Sequence, residues 1–122
     1  GTDGKWAGTN IKSELKNYAW YKNADGGDAN GKTHEVKKKL PNGYGLYDMS
    51  GNVYEWCWDW YKNETPAGGQ TDPMGVDSGS NRVNRGGSWD FTTFNAARAY
   101  RDKSLPDNCN SNNLGLRVLS RP

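Results

Sequence analysis

The sequence predicts an α+β fold that is rich in loops, with short strands and little helix. Only 33% of the 122 residues are hydrophobic, whereas 16 are glycines, six are tryptophans and seven are tyrosines. Each large ring buries much apolar area, so a few rings can form a core beneath loops that turn at glycine. Residues 53–61 alternate, with Trp56, Trp58 and Trp60 on one face, and this period of two indicates a strand.

Length and charge narrow the class of protein further. A chain of 122 residues forms one domain, residues 1–122. The formal net charge is +2 and both signs are interspersed, so no nucleic-acid partner is indicated. No apolar run reaches the length of a transmembrane helix, and we expect no membrane insertion by this chain.

The remaining elements follow in chain order. Apolar residues at Ile11, Leu15 and Tyr18 have helical spacing, and Asn10 precedes them as a candidate cap. Long loops are expected where glycine, asparagine, aspartate and proline cluster, at residues 23–31 and 63–80. Two further short core strands are expected, at residues 82–88 and 114–120.

Residues 45–56 concentrate oxygen ligands within a short stretch. Asp48 and Glu55 supply carboxylates, and Gly51 allows a tight backbone turn between them. Calcium takes several carboxylate and backbone-carbonyl oxygens that converge on one point. With the carbonyls of Gly51 and Val53 added, the stretch predicts a calcium site. The alternative is a hydrogen-bonded turn that leads into a buried strand.

Catalysis by histidine or by thiols finds little support. His34 is the single histidine, so a metal site or a dyad built from several histidines is excluded. Cys57 lies in the tryptophan-rich strand, where a buried inert thiol is the default. Cys109 is far from it in sequence, and a disulfide between the two is an alternative in an oxidising compartment.

Three blocks, in this order, resemble signatures of the formylglycine-generating enzyme family, also called the sulfatase-modifying-factor family. They read PNGYGLYDMSGNVYEW at residues 41–56, RVNRGGSW at residues 82–89 and NLGLRV at residues 113–118. The resemblance implies a C-type-lectin-like fold of the formylglycine-generating-enzyme type. Family domains are generally longer, so it also implies that this chain is the C-terminal part of a longer domain, with a minimal version as the alternative.

The resemblance carries two implications for chemistry. A calcium ion sits on the first block in this family, with ligands that map to Asp48, Gly51, Val53 and Glu55. The family's enzymes also oxidise a sulfatase cysteine with two copper-binding cysteines after the Gly-Gly-Ser-aromatic block. Those positions are Phe91 and Ala96 here, so the resemblance implies no formylglycine-generating activity and no enzyme. The alternative is an enzyme-associated domain of such an oxidase or of an iron-dependent sulfoxide synthase.

Residues 90–111 carry the predicted ligand surface. A non-catalytic subset of the family, the variable proteins of diversity-generating retroelements, varies adenine-containing codons in this stretch. An AAC codon with its adenines replaced at random reaches Asn, Asp, Tyr, Phe, Thr, Ser, Leu and Cys but not Lys, which leaves Lys103 outside the set. The predicted ligand-binding residues are Asp90, Phe91, Thr92, Thr93, Asn95, Tyr100, Asp102, Ser104, Leu105, Asn108, Asn110 and Ser111. The alternative is an ordinary polar loop over a tryptophan-rich core.

Together these patterns predict a non-catalytic ligand-binding protein on a rigid scaffold that a structural calcium ion stabilises. Aromatic side chains among small polar residues are typical of binding surfaces. We expect the ligand to be a protein or a cell-surface component. Calcium and tryptophan-rich loops favour a cell-surface or secreted location and leave a cytoplasmic one open.

Overall fold

The computed structural model describes residues 4–63, 75–107 and 111–119. Those ranges contain two short 3₁₀ helices, Lys12–Asn17 and Asn23–Asp25. They also contain four strands, which are β1 (Tyr54–Trp60), β2 (Arg82–Arg85), β3 (Asp102–Ser104) and β4 (Leu114–Gly115). Turns and loops make up the rest, so the prediction of a loop-rich chain with short strands and little helix is confirmed.

The four strands form one sheet in the order β3-β2-β1-β4. β2 runs antiparallel to β1 and to β3, whereas β4 runs parallel to β1. The register between β1 and β2 shifts between Trp56 and Trp60, which marks a bulge. The predicted strand at residues 53–61 is therefore central to the sheet and one residue shorter at each end.

The other predicted strands differ in length from those observed. β2 ends at Arg85, because Gly86 and Gly87 follow with φ angles of 93° and 73° that no strand residue adopts. β4 covers only Leu114–Gly115 of the expected residues 114–120, of which residue 120 lies outside the described ranges, and β3 was not predicted at all. Most of the expected loop at residues 63–80 lies outside the described ranges.

A small core packs beside the first 3₁₀ helix. It consists of Trp6, Leu15, Ala19, Tyr21 and Ala96. The expected helical turn is 3₁₀, and its predicted cap is wrong, because Ile11 occupies the N-cap position and makes no side-chain cap. The Asn10 side chain instead accepts a hydrogen bond from the Lys5 amide at 2.6 Å. No helix in the described ranges is long and apolar enough to cross a bilayer.

Candidate functional site

One face of the sheet presents a group of neighbouring side chains, one of which, Asp102, belongs to the predicted ligand segment. Trp56 pairs with Asn84 across β1 and β2, and Asn84 pairs with Asp102 across β2 and β3. Cross-strand partners project to the same face, and Tyr54 shares it because it lies two residues before Trp56. We call these four residues, Tyr54, Trp56, Asn84 and Asp102, the sheet floor.

The polar groups of the sheet floor are incompletely hydrogen-bonded. Tyr54 and Asn84 are only 3% and 2% exposed. Their hydroxyl oxygen and Oδ1 atom have no hydrogen-bond partner, although the Asn84 Nδ2 group donates to the Ser104 Oγ atom at 2.9 Å. Burial, together with the neighbouring Asp102 carboxylate, raises the pKa of Tyr54, so its hydroxyl stays protonated at neutral pH. Buried polar groups without partners are rare, which makes this floor a candidate ligand contact.

Aromatic rings surround the floor on the side of residues 90–107. The ring of Phe91 meets that of Tyr54 edge to face, with centroids 5.2 Å apart. A second pair of the same kind joins Phe94 and Tyr100, also at 5.2 Å. Phe94 is 67% exposed, so it offers apolar area to a partner.

The backbone of this segment is tied to distant parts of the chain at Thr93. The Trp6 indole donates to the Thr93 carbonyl at 2.6 Å, and the Thr93 amide donates to the Asp25 carboxylate at 2.7 Å. The Lys12 ammonium lies 2.8 Å from the same carboxylate. Hydrogen bonds from Lys12 and Thr93 lower the pKa of Asp25 to about 2. Asp25 therefore stays ionised and fixes the segment through its hydrogen bond with the Thr93 amide.

A second attachment lies at Ala96. Its carbonyl accepts a hydrogen bond from the Ser50 hydroxyl at 2.9 Å, and its side chain is only 1% exposed. A Cβ at Gly87 would lie 2.8 Å from the Ala96 Cα, so glycine is needed for the close approach of the two backbones. The segment is consequently fixed in shape while many of its side chains remain outside.

The structure sorts the predicted ligand residues into groups. Asp90, Thr92 and Leu105 are exposed, whereas Thr93 is only 7% exposed and belongs to the scaffold because Trp6 and Asp25 hold it there. The half-buried members are Phe91, Asn95, Tyr100, Asp102, Ser104 and Ser111. Asn108 and Asn110 lie outside the described residues.

The four predicted calcium ligands line one cavity of about 460 Å³. Asp48 is 8% exposed and has a φ angle of 54°, and its Oδ2 atom accepts a hydrogen bond from the Lys37 amide at 2.8 Å. Its Oδ1 atom is buried without a partner. A buried carboxylate oxygen without a donor, close to Glu55 and the Gly51 and Val53 backbone, fits the hard oxygen set that calcium takes.

Arg117 shares this site. Its guanidinium donates to both oxygens of Glu55, at 2.7 Å and 2.9 Å, and to the carbonyl oxygens of Tyr47 and Asp48 at 3.0 Å and 3.2 Å. The hydrogen bonds with Glu55 raise the pKa of Arg117. Glu55 is therefore positioned by a fixed cation, and Asp48 is the carboxylate with an open oxygen. Within the described ranges, no group of three or more His, Cys, Asp or Glu residues could hold a metal by side chains alone.

The positions that matter for thiol chemistry are also visible. The enzymes of the resembled family have copper-binding cysteines at two positions that are Phe91 and Ala96 in this chain. Phe91 packs on Tyr54, and Ala96 lies in the core. Cys57 is a free, half-buried thiol, and burial raises its pKa. Its predicted alternative partner, Cys109, lies outside the described residues.

Sequence reasoning missed three residues of these sites. Tyr54 lies two residues before Trp56, so the alternating pattern could have predicted that it shares the face of the tryptophans. Asn84 is a polar residue between Val83 and Arg85, and only the strand register shows which face it takes. Arg117 gave no local signal, because its partner Glu55 is 62 residues away.

Comparisons of sequence identify related proteins. A model of the sulfatase-modifying factor enzyme 1-like domain matches residues 2–122. The serine/threonine-protein kinase pkn1 of Chlamydia pneumoniae is 46% identical over 82 residues, which are 65% of this chain and 13% of that protein. The formylglycine-generating enzyme of Streptomyces coelicolor is 42% identical over 92 residues, which are 72% of this chain and 29% of that protein. The chain thus spans less than a third of these curated relatives.

Among solved structures, Treponema denticola variable protein 1 is similar with a TM-score of 0.84 and 50% sequence identity. The similarity covers 95% of this chain and 40% of that chain. The predicted resemblance, including that to variable proteins, is confirmed. The C-type-lectin-like fold of the formylglycine-generating-enzyme type is confirmed with it.

Proposed function

We propose that this chain, which belongs to the sulfatase-modifying factor enzyme 1-like family, is a non-catalytic ligand-binding domain with a diversified surface. The observation that carries the proposal is the similarity of nearly the whole chain to Treponema denticola variable protein 1. The ligand surface consists of the predicted residues that are exposed or half-buried, together with the sheet floor beneath them. The ligand is a protein or a cell-surface component.

Recognition follows from the way the segment is built. Thr93 and Ala96 hold its backbone, so the side chains around them can change without loss of shape. Phe91, Phe94 and Tyr100 supply aromatic area, and small polar neighbours supply hydrogen bonds at the rim. A fixed backbone also reduces the entropy that is lost on binding.

The test is deep sequencing of the coding region for residues 82–122 in one clonal population and its close siblings. We expect substitutions at adenine-containing codons for exposed positions such as Asp90, Thr92 and Leu105. The codons for the buried Thr93 and Ala96 are the internal control and stay constant, because their side chains are enclosed. An invariant segment, or equal variation at buried and exposed codons, contradicts the proposal.

Calcium has a structural role in this proposal. Asp48 and Glu55 carboxylates with the Gly51 and Val53 carbonyls hold the ion, which neutralises charge on the block and does not contact the ligand. The buried, partnerless Asp48 Oδ1 atom supports this assignment.

The second candidate is an enzyme-associated domain of an oxidase or a sulfoxide synthase. The similarity to the Streptomyces coelicolor formylglycine-generating enzyme favours it. The gene neighbourhood separates the candidates. A reverse transcriptase with a near-copy of the segment supports diversification, whereas an iron-binding domain in the same reading frame supports the enzyme.

A further inference from the structure

We propose that the sheet floor receives a basic side chain, arginine or lysine, of a protein ligand, and that Asp102 sets this preference. The inference rests on the proposed function, because it names the chemistry that the same surface accepts. It concerns the ligand of this particular chain, since position 102 lies among the residues proposed to vary.

The floor offers acceptors and a negative charge in one place. The register sets Asn84 directly opposite Asp102, with Tyr54 on the same face. The Asn84 Oδ1 atom and the Tyr54 hydroxyl are buried and have no partner. Guanidinium and ammonium groups carry several N–H donors and no acceptor, so they match such a set.

The basic residues around Asp102 do not neutralise it. Its carboxylate accepts a hydrogen bond from the Lys103 amide at 2.8 Å, and within the described residues it forms no ion pair with a basic side chain. The Lys103 side chain alternates to the other face, where its ammonium lies 4.9 Å from the Tyr61 ring centroid. The Arg82 guanidinium lies 3.5 Å from the Trp60 ring centroid. Asp102 therefore has its charge available for a ligand.

The aromatic surroundings favour a cation as well. Phe91 and Tyr54 form an edge-to-face pair, and Trp56 is half-buried on the floor. Ring faces attract ammonium and guanidinium groups, and they do so more strongly where water is partly excluded. A neutral group would leave the charge of the Asp102 carboxylate without compensation, and an acidic group would be repelled by it.

The experiment uses Nα-acetyl-arginine methylamide as the probe and Nα-acetyl-citrulline methylamide as its neutral, nearly isosteric control. Binding is followed by NMR through the ring resonances of Tyr54 and Trp56. We expect the arginine probe to bind at least about tenfold more tightly than the citrulline probe. Asp102→Asn removes this difference, whereas Glu35→Gln preserves it, because Glu35 is an exposed carboxylate outside both the floor and the proposed ligand surface.

Tyr54→Phe separates a ligand contact from a structural one. Removal of a buried hydroxyl that makes no hydrogen bond of normal geometry changes the melting temperature little, although the hydroxyl lies near Asp102 and Asn95. The same variant binds the arginine probe more weakly if the hydroxyl is a ligand contact. A loss of stability with unchanged binding overturns that role.

Equal binding of the two probes, or no binding of the arginine probe by the wild-type chain, overturns the inference. These outcomes are distinct from failure of the proposed function. If codons vary at exposed positions but the chain shows no preference for the arginine probe, the diversified surface stands and only the basic ligand is wrong. If the codons are invariant but the arginine probe is clearly preferred, the basic-ligand site stands and the proposed diversification is wrong.

Discussion

The predicted calcium block at residues 45–56 and the predicted ligand segment at residues 90–107 are both held by backbone hydrogen bonds, but their side chains have opposite exposure. Asp48, Ser50 and Asn52 of the block are at most 8% exposed, so these polar side chains lie in the interior. In the segment, Phe94 and Leu105 are 67% and 55% exposed, while hydrogen bonds to the backbone of Thr93 and Ala96 hold its shape. Both regions keep their shape through hydrogen bonds to distant residues, since neither contains a long helix or strand.

The difference teaches where sequence can change. A block whose side chains are enclosed by other backbone tolerates few substitutions, whereas a segment that is held through its carbonyls and amides tolerates many. The Asn52 amide donates to the Trp20 carbonyl at 2.8 Å, and its carbonyl accepts from the Trp89 amide at 2.8 Å. The block thus joins the N-terminal part of the chain to the start of the segment, so its rigidity would support the proposed variable surface.

Gly51→Ala should have the largest effect on stability. A Cβ there would lie 2.3 Å from the Trp20 carbonyl oxygen, and the φ angle is +77°. Overpacking and left-handed strain together predict a loss of about 3 to 5 kcal/mol in the free energy of unfolding, measured by urea denaturation. Gly31→Ala is the matched control, because its φ angle is +71° and nothing lies within 4 Å. Equal losses in both variants would show that the contact with Trp20 is not rigid.

Calcium removal should have the next largest effect. At a concentration about 100 times the dissociation constant, a bound ion contributes about 2.7 kcal/mol, so a chelator should lower the melting temperature by several degrees. Asp48→Ala should reproduce this loss and abolish the response to added calcium. Glu55→Ala is a less specific variant, because it also breaks the contact with Arg117. If neither chelator nor added calcium changes the melting temperature, the block is a hydrogen-bonded turn and not a calcium site.

The contrast also explains what the sequence could predict. β1 was predictable because it lies in the centre of the sheet and alternates aromatic residues over several positions. β3 has the sequence Asp-Lys-Ser and no apolar pattern, and its extended form depends on pairing with β2. A three-residue edge strand of this kind is specified by its partner, so no local signal reveals it.

The division of the segment into scaffold and surface depends on contacts that are remote in sequence. Thr92 and Thr93 are identical residues with opposite exposure. The hydrogen bonds that fix the backbone of Thr93 come from Trp6 and Asp25, which are 87 and 68 residues away. Sequence reasoning located the segment through its family blocks, but it had no means to separate the two threonines.

The attachment of the segment to Asp25 predicts a smaller, pH-dependent effect. The pKa of Asp25 is lowered from 3.8 to about 2, first by its hydrogen bond with Lys12 and then by those with Thr93. The stabilisation is fully present above pH 3.8 and is lost as the pH falls through about 2. Because the side chain is 23% exposed, we expect about 1 kcal/mol.

Asp25→Asn checks this attachment. The variant should show a flatter dependence of the free energy of unfolding on pH between about 4 and 2, as well as faster amide exchange at Thr93. Asp90→Asn, an exposed carboxylate 3.9 Å from Lys22, serves as the control and should keep the wild-type slope. An identical slope in the Asp25 variant would mean that Asp25 does not hold the segment.

Phe94→Ala should have the smallest effect on stability, although the residue is large. Its ring is 67% exposed and contacts Tyr100 edge to face, so little area is buried in the free protein. We expect a loss of about 0.5 kcal/mol, measured by urea denaturation beside Thr92→Ala as the reference for an exposed residue. A loss above about 2 kcal/mol would assign Phe94 to the scaffold. A small loss means that an aromatic residue is held outside the core, where its apolar surface is available to a ligand.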